Sequence, residues 1–158
     1  MATGTPATAL LKRAGVAFSL HPYQHDPRAD GFGEQAATAL DVHPARIFKT
    51  LIAVVDGGLA CAVVPVAGRL DLKAFATALG GKRAEMAQPS VAARATGYVI
   101  GGISPLGQRT ALPIVLDASA QSFETIYVSA GRRGLQVQLA PADLIRLSAA
   151  VLAPVSAP

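Results

Sequence analysis

A glycine-rich segment is the part of this sequence best suited to binding a small ligand through its main chain. Residues 96–108 read TGYVIGGISPLGQ and include four glycines and a proline. Glycine lets the backbone approach a ligand closely and adopt angles that other residues resist. Gly101 and Gly102 can present carbonyl and amide groups, Ser104 adds a hydroxyl, and Pro105 stiffens the turn. The segment therefore predicts either a ligand-binding loop or a purely structural turn.

A lysine in an apolar segment is the second candidate. Lys49 lies within residues 47–55. Because the side chains of a strand alternate between its faces, Lys49 would share a face with Leu51 and Ala53. Both faces are apolar, which indicates an interior strand. A lysine there either reaches water at the end of the sheet or lines a cleft, where its ammonium would orient a carbonyl or a phosphate.

The histidines and the cysteine give weaker signals. His21, Tyr23 and His25 alternate along the chain, so they would point the same way from an extended segment. Two histidines without a cysteine or an acidic cluster nearby are a poor zinc pattern, and neither a metal nor another cofactor is predicted. Cys61 stands in an apolar strand pattern, and we expect it in the core rather than at a reactive position.

The motifs of several large enzyme classes are missing from the sequence. It has no G-x-S-x-G motif, and its Ser, His and Asp residues suggest no convincing catalytic triad. The absence of G-x-x-x-x-G-K-[ST] excludes a P-loop. The glycine-rich segment also lacks the G-x-G-x-x-G spacing, which disfavours a Rossmann fold.

The composition indicates one compact domain in a reducing compartment. A chain of 158 residues fits one domain, and 51% hydrophobic with 15% charged residues allows a sizeable core. No apolar run approaches the roughly 20 residues of a spanning helix, and no signal-peptide pattern is evident. The single cysteine predicts a cytoplasmic setting. The formal net charge of +4 permits an anionic partner such as RNA without demonstrating one.

Helix and strand signals are interspersed without a regular βαβ repeat. Helices are predicted over residues 6–14, 32–40, 72–80, 89–96 and 141–150. Strands are predicted over residues 18–23, 47–55, 59–65, 114–116, 125–129 and 135–139. Turns are predicted at Asp26, Asp30 and 56–58, and residues 152–158 as a loose tail. The pattern predicts a single α/β domain over residues 1–158, with a mixed, mainly antiparallel sheet flanked by helices.

Several segments resemble, in order along nearly the whole chain, the bacterial YbaK/EbsC group of the aminoacyl-tRNA editing superfamily, which is similar to the insertion domain of prolyl-tRNA synthetase. They read TPATALLKRAGVAFSLHPYQHDP, FGEQAATAL, RIFKTLIAV, PVAGRLDLKAFATALGGKRAEMAQP, ATGYVIGGISPLGQR and ETIYVSAGRRGLQVQL. FKTL and TGYVIGGISPLGQ are the most specific of them.

The resemblance implies a barrel-like editing domain that acts in trans. Its activity would be deacylation of mischarged tRNA, above all removal of cysteine from Cys-tRNA(Pro) by attack of the substrate's own thiol on its ester. The alternatives are a deacylase for alanine or another small residue, or a module that binds tRNA or synthetase without catalysis. The implied partners are tRNA(Pro) and prolyl-tRNA synthetase in a ternary complex, with neither DNA nor a membrane.

Matching positions imply roles for individual residues. Lys49 would orient the ester or the terminal ribose-phosphate, and the main-chain carbonyl of Gly101 would hold the substrate's amine or hydroxyl. The implied substrate-binding residues are Tyr23, His25, Phe32, Gly102, Ile103, Ser104, Ser129 and Gly131. Arg132 and Arg133 would bind acceptor-stem phosphates, unless they form only a charged turn.

Two positions depart from the usual pattern of the group. Ala130 stands where glycine is common, and Gln136 stands where an acidic residue is frequent. Both departures bear on which aminoacyl group is accepted more than on the class of reaction.

Overall fold

The computed structural model describes residues 4–28 and 31–158, so the predicted turn residue Asp30 lies outside the described part. The helices are α1 (Pro6–Ala14), α2 (Phe32–Leu40), α3 (Leu72–Ala78), α4 (Pro89–Thr96) and α5 (Pro141–Ser148), with a 3-10 helix at Ala118–Ser122. Side-chain caps define two of the starts, since Thr5 accepts a hydrogen bond from the amide of Thr8 and Asp71 accepts one from the amide of Ala74. None of these helices is long and apolar enough to cross a membrane.

Ten strands complete the described secondary structure. They are β1 (Phe18–Pro22), β2 (Phe48–Val55), β3 (Gly58–Pro65), β4 (Arg69–Leu70), β5 (Ala84–Met86), β6 (Ile114–Asp117), β7 (Ile126–Arg132), β8 (Leu135–Leu139), β9 (Val151–Ala153) and β10 (Ser156–Ala157). The predicted hairpin turn between β2 and β3 is confirmed. Asp56 and Gly57 both have positive φ angles, 49° and 88°, as the favoured two-residue hairpin turn requires.

The strands form a mixed arrangement of three sheets. The largest has the order β5-β2-β3-β6-β9, in which β2 pairs antiparallel with β3 and β5, while β6 pairs parallel with β3 and β9. A second, antiparallel sheet has the order β1-β8-β7. The predicted α/β domain with a mixed, mainly antiparallel sheet is therefore confirmed.

The barrel-like part of that expectation needs correction. The two larger sheets meet at a parallel bridge between Ile47 and Tyr127. Among the described strands no sheet closes on itself, and β4 and β10 form a separate pair. The two edges of the five-stranded sheet are the short strands β5 and β9, and each of them pairs with a neighbour on one side only.

The core lies on both faces of the five-stranded sheet. Phe48 and Ile52 of β2 pack with Val128 and Val137 of the second sheet in the largest apolar cluster. The opposite face is covered by α3, whose Phe75 is fully buried. A strand covered on both faces reads as a continuous apolar run, which accounts for the sequence of β3.

The segment that follows α5 is ordered, which corrects the expectation of a loose tail. Val151–Ala153 pairs with β6, and Ser156–Ala157 pairs with β4. Between them, Val155 is fully buried, and its amide donates to the buried carboxylate of Asp117 at 2.8 Å. The sequence of this segment is too short and too rich in proline to indicate strands. The strands form because they pair with distant segments of the chain.

We expect Val155→Ala to lower the free energy of unfolding by roughly 1–3 kcal/mol, because it removes apolar atoms from a packed site. Val151→Ala is the matched control, since Val151 is 47% exposed in the neighbouring strand. Urea unfolding of both variants measures the difference. Equal stability of the two variants would show that the segment does not pack as described.

Candidate active site

A cavity of about 360 Å³ lies where the two larger sheets meet. Its walls come from the start of α2, from β2, from the segment 86–92, from the glycine-rich segment and from the β7–β8 hairpin. The wall includes five predicted site residues, namely Phe32, Lys49, Gly101, Ile103 and Ser129. Its volume is near the lower end of the range for small-molecule sites, about 300–1,000 Å³, so it suits a small group rather than a whole nucleic acid.

Lys49 is a half-buried cation in this largely apolar wall. Its Nζ donates a hydrogen bond to the main-chain oxygen of Gly68 at 2.9 Å. Among the described residues its ammonium takes part in no ion pair. An ammonium carries three N–H donors, so two are left for a ligand. The sequence left open whether Lys49 lies at the end of the sheet or lines a cleft. In the structure it lines the cleft.

Gly101 has no room for a side chain. Its φ angle is +87°, and a Cβ at this position would lie 2.7 Å from the Phe32 ring. Real Cβ atoms do not approach other atoms so closely, and a positive φ angle adds strain for any residue with a side chain. The ring of Phe32 therefore packs directly against the main chain of Gly101, and both line the cavity.

Arg133 ties the glycine-rich segment to the β7–β8 hairpin. Its Nε donates to the main-chain oxygen of Ile100 at 2.7 Å, and its guanidinium carbon lies 4.6 Å from the centre of the Phe32 ring. This distance is within the range of a cation–π interaction. The same half-buried side chain thus contacts both the loop and the ring that packs on it.

Gly102 completes this junction from the other side. A Cβ at Gly102 would lie 2.8 Å from the Cα of Arg132. The hairpin reaches this position through an irregularity in register between Ser129 and Arg132, so Arg132 ends β7 rather than lying in a simple turn. The close approach of two main chains explains why glycine is needed here.

Three polar side chains lie on the cavity wall besides Lys49 and Glu34. Ser129 and Gln136 face each other across the β7–β8 pair, and Thr50 follows Lys49 on β2. The Ser129 hydroxyl accepts a hydrogen bond from the amide of Gly131 at 3.2 Å. Thr50 was not predicted as a site residue, and Gln136 was noted only as a departure from the family pattern that bears on which aminoacyl group is accepted. Knowing the register of the β7–β8 hairpin would have placed Gln136 opposite Ser129. The sequence does not reveal this register, because it is irregular between Ser129 and Arg132.

Several predicted site residues do not line the cavity. Tyr23 packs with Ile47 and Tyr127 in a small apolar cluster, and His25 lies at a separate surface depression. The fully buried Ser104 accepts a hydrogen bond from the amide of Leu106 at 3.2 Å. Gly102, Gly131, Arg132 and Arg133 support the wall from behind or beside it. Substrate or tRNA contacts by these residues stay predictions.

The cysteine is buried in the core, as the sequence predicts. Cys61 is fully buried on β3, and burial raises the pKa of its thiol from 9.0 to about 12. The thiol is therefore protonated near neutral pH and is a poor nucleophile. Burial likewise raises the pKa of the Tyr98 phenol to about 12, and the phenol donates to the main-chain oxygen of Leu106 at 2.7 Å. Tyr98 thereby fixes the far end of the glycine-rich segment.

The cavity wall offers positioning groups rather than a nucleophile–base pair. Its described lining residues include one lysine and one glutamate but neither histidine nor cysteine. Across residues 4–28 and 31–158, no three His, Cys, Asp or Glu side chains are grouped so as to hold a metal ion. The arrangement can bind a small acyl group, polarise its carbonyl with an ammonium and present main-chain groups beside it.

Known proteins resemble this chain over most of its length. The chain is 41% identical over 116 residues to EbsC of Enterococcus faecalis, named as a candidate Cys-tRNA(Pro)/Cys-tRNA(Cys) deacylase, covering 73% of this chain and 71% of that protein. It is 28% identical over 145 residues to the multifunctional Ser/Thr-tRNA deacylase ProXp-y of Escherichia coli, covering 89% of this chain and 84% of that one.

Solved structures share the fold. A crystal structure named as that of a candidate trans-editing enzyme for prolyl-tRNA synthetase has a TM-score of 0.84 at 24% identity, over 98% of this chain and 99% of its own. The model of the aminoacyl-tRNA editing domain matches residues 26–147, a span that includes every residue named above as lining the cavity. The chain therefore belongs to the aminoacyl-tRNA editing domain family.

Proposed function

We propose that this protein is a trans-editing deacylase that releases a wrongly attached small amino acid from tRNA(Pro), with cysteine as the leading substrate. The observation that carries the proposal is that Lys49 and Gly101 line the same small cavity. A cavity of about 360 Å³ admits an aminoacyl group while the tRNA stays outside. The name of the relative EbsC, a candidate Cys-tRNA(Pro)/Cys-tRNA(Cys) deacylase, points to the same substrate class.

The proposed reaction uses the substrate's own thiol. The cysteine sulfur attacks the ester carbonyl carbon, so that a C–S bond forms and the C–O bond to the terminal ribose breaks. The thiol proton is transferred to the departing ribose oxygen, which restores the free hydroxyl of the tRNA, and the amino acid leaves as a cyclic thioester. Holding thiol and carbonyl in a reactive geometry can account for roughly 7–11 kcal/mol of a barrier in favourable cases.

In this mechanism the protein positions the substrate and polarises its ester carbonyl. The Lys49 ammonium, anchored on Gly68, donates to the ester carbonyl oxygen, where negative charge develops. The main-chain carbonyl of Gly101 accepts from the substrate's amine. Phe32 closes the wall beside Gly101 and limits the size of the side chain that enters.

The proposed partners follow from the substrate. Charged tRNA is found in the cytoplasm, and we expect the protein to act there. The cavity is too small to read a tRNA, so a ternary complex with prolyl-tRNA synthetase would supply tRNA selection. Release rates at limiting tRNA, measured with and without the synthetase, address this dependence.

We expect Lys49→Ala to lower the rate of amino acid release from Cys-tRNA(Pro) roughly 100-fold or more, because an electrostatic contact to the developing oxyanion is lost. Wild-type protein, Lys49→Ala and the matched control Lys73→Ala, at an exposed lysine, are compared on Cys-, Ala- and Ser-tRNA(Pro). Full activity of Lys49→Ala would overturn the assignment of this lysine. A wild-type protein that binds tRNA but releases none of the three amino acids would instead indicate a non-catalytic module.

Gly101→Ala should abolish most of the activity, because the new methyl group displaces either Phe32 or the loop. Gly57→Ala is the control that separates the effect of this clash from the effect of backbone strain. Gly57 has nearly the same φ angle, +88°, but nothing lies within 4 Å of an added Cβ. Both variants should lose roughly 1 kcal/mol of stability from the positive φ angle, whereas only Gly101→Ala should lose amino acid release. Equal activity of the two variants would show that the close contact between Phe32 and Gly101 is not needed for amino acid release.

Arg133→Ala should lower the single-turnover rate at saturating protein on the order of 10- to 100-fold, because the loop carrying Gly101 loses its anchor on Ile100. Arg133→Lys keeps the charge but loses the planar contact with Phe32, so it should not restore the rate. The dependence of tRNA affinity on salt should change little. Full rescue by lysine, with a reduced salt dependence in the alanine variant, would instead indicate phosphate binding.

A further inference from the structure

The Lys49 ammonium lies at the end of a flexible side chain, so its position depends on what holds it. Within the described residues it donates from Nζ to the main-chain oxygen of Gly68 at 2.9 Å. A lysine side chain has several rotatable bonds and adopts many conformations unless a contact selects one of them. The place of the ammonium on the cavity wall is therefore only as fixed as the carbonyl of Gly68.

Gly68 lies in a turn against which the end of the chain packs. The amide of Gly68 donates to the main-chain oxygen of Pro65 at 3.0 Å, which closes the turn. Beside the turn lies β10, which pairs with β4, the two residues that follow Gly68. A Cβ at Gly68 would clash with the Ser156 hydroxyl and lie 2.9 Å from the main-chain oxygen of Ala157. The turn that anchors the lysine therefore has no free space on the side of β10.

The buried carboxylate of Asp117 holds the residue that precedes β10. Asp117 is 4% exposed at the end of β6, and its Oδ1 accepts a hydrogen bond from the amide of Val155 at 2.8 Å. Its Oδ2 accepts one from the amide of Ser119 at 3.2 Å. The carbonyl of Val155 accepts from the amide of Asp71 at 2.8 Å, so both main-chain polar groups of Val155 are bonded. Hydrogen bonds to a charged acceptor are about twice as strong as those between neutral groups.

The carboxylate of Asp117 forms no ion pair with any described residue. Burying a charge costs free energy, so a neutral residue would be the less costly way to end a strand. What the charge adds is a strong acceptor for the segment that packs on Gly68. Gly68, Asp117 and Ser156 border a separate surface depression, and none of the three lines the cavity. An effect of these residues on the reaction must therefore pass through Lys49.

We propose that Asp117 and residues 155–157 form a brace that fixes the carbonyl of Gly68 and thereby positions the Lys49 ammonium in the cavity. Asp117 is then a positioning residue for deacylation, although it lies outside the cavity. This inference rests on the proposed function, because the reaction that the brace serves is the one assigned to Lys49. The brace affects every aminoacyl group alike, because the ester that Lys49 polarises is common to all of them.

Two variants test the brace from its two ends. Gly68→Ala adds a methyl group that pushes the turn and β10 apart, and Asp117→Asn replaces one acceptor oxygen by a nitrogen that cannot accept from a main-chain N–H. Gly58→Ala is the matched control for the first variant. Neither glycine has a positive φ angle, and a Cβ at Gly58 would meet no atom closer than 3.7 Å. Asp143→Asn, which removes a partly exposed carboxylate on α5, is the control for the second.

The single-turnover rate of amino acid release separates positioning from loss of structure. We expect Gly68→Ala and Asp117→Asn to lower the maximal rate at saturating protein roughly 10- to 100-fold, by a similar factor on Cys-, Ala- and Ser-tRNA(Pro). The half-saturating protein concentration should change little. A partly unfolded variant behaves in the opposite way, because a smaller active fraction raises that concentration and leaves the maximal rate intact. An unchanged maximal rate in both variants would overturn the proposal.

The nuclear magnetic resonance signal of the Lys49 ammonium gives a readout that needs no tRNA. The remaining lysines are exposed, namely Lys12, Lys73 and Lys82. In protein labelled with ¹⁵N-lysine, the Nζ signal of Lys49 is identified by its absence from Lys49→Ala. We expect exchange of its protons with water to become roughly tenfold faster in both brace variants, because the hydrogen bond to Gly68 is weakened. The two control variants should leave the exchange rate unchanged.

The exchange rate keeps the brace separable from the proposed function. Faster exchange in the brace variants supports the brace even if the wild-type protein releases none of the three amino acids, an outcome that would reject the proposed function alone. Wild-type exchange rates in both variants would reject the brace even if deacylation is observed. Gly68→Ala decides by itself if Asp117→Asn does not fold, since its change lies at the anchor and leaves the buried carboxylate in place.

Discussion

The direct packing of the Phe32 ring on the main chain of Gly101 is the contact on which the cavity depends. It brings together α2 and the glycine-rich segment, which are far apart in the sequence. Arg133 holds both partners, through the Ile100 carbonyl and through the ring. Because interiors are close-packed, a shift of any one of these groups moves the others. The wall therefore behaves as one unit rather than as a set of independent side chains.

The polar groups of the cavity wall differ in whether the fold itself supplies them with a hydrogen-bond partner. The Lys49 ammonium is anchored on the main-chain oxygen of Gly68 and lies on the cavity wall. Within the described residues, Thr50 Oγ1 and Gln136 Oε1 have no hydrogen-bond partner, and both residues line the cavity.

The sequence predicted correctly those elements whose start or turn is determined by neighbouring residues. Proline at the start of α4 and the Asp56-Gly57 turn mark their elements without reference to the rest of the chain. The strands of residues 151–157 were missed because only pairing with β6 and β4 orders them. Lys49 and Gly101 could be selected from type and motif. Gln136 was singled out as a departure from the family pattern, but its place on the cavity wall could not be predicted, because it depends on an irregular register and on a cavity between two sheets.

The close approach of the last strand to Gly68 links distant parts of the molecule. The Ser156 hydroxyl lies so close to Gly68 that a Cβ at this position would clash with it, and Gly68 is the residue whose carbonyl holds the Lys49 ammonium. The segment 156–157 thus buttresses the anchor of the lysine from outside the span matched by the family model. A change in segment 156–157 would therefore reach the anchor of the lysine without altering any residue that lines the cavity.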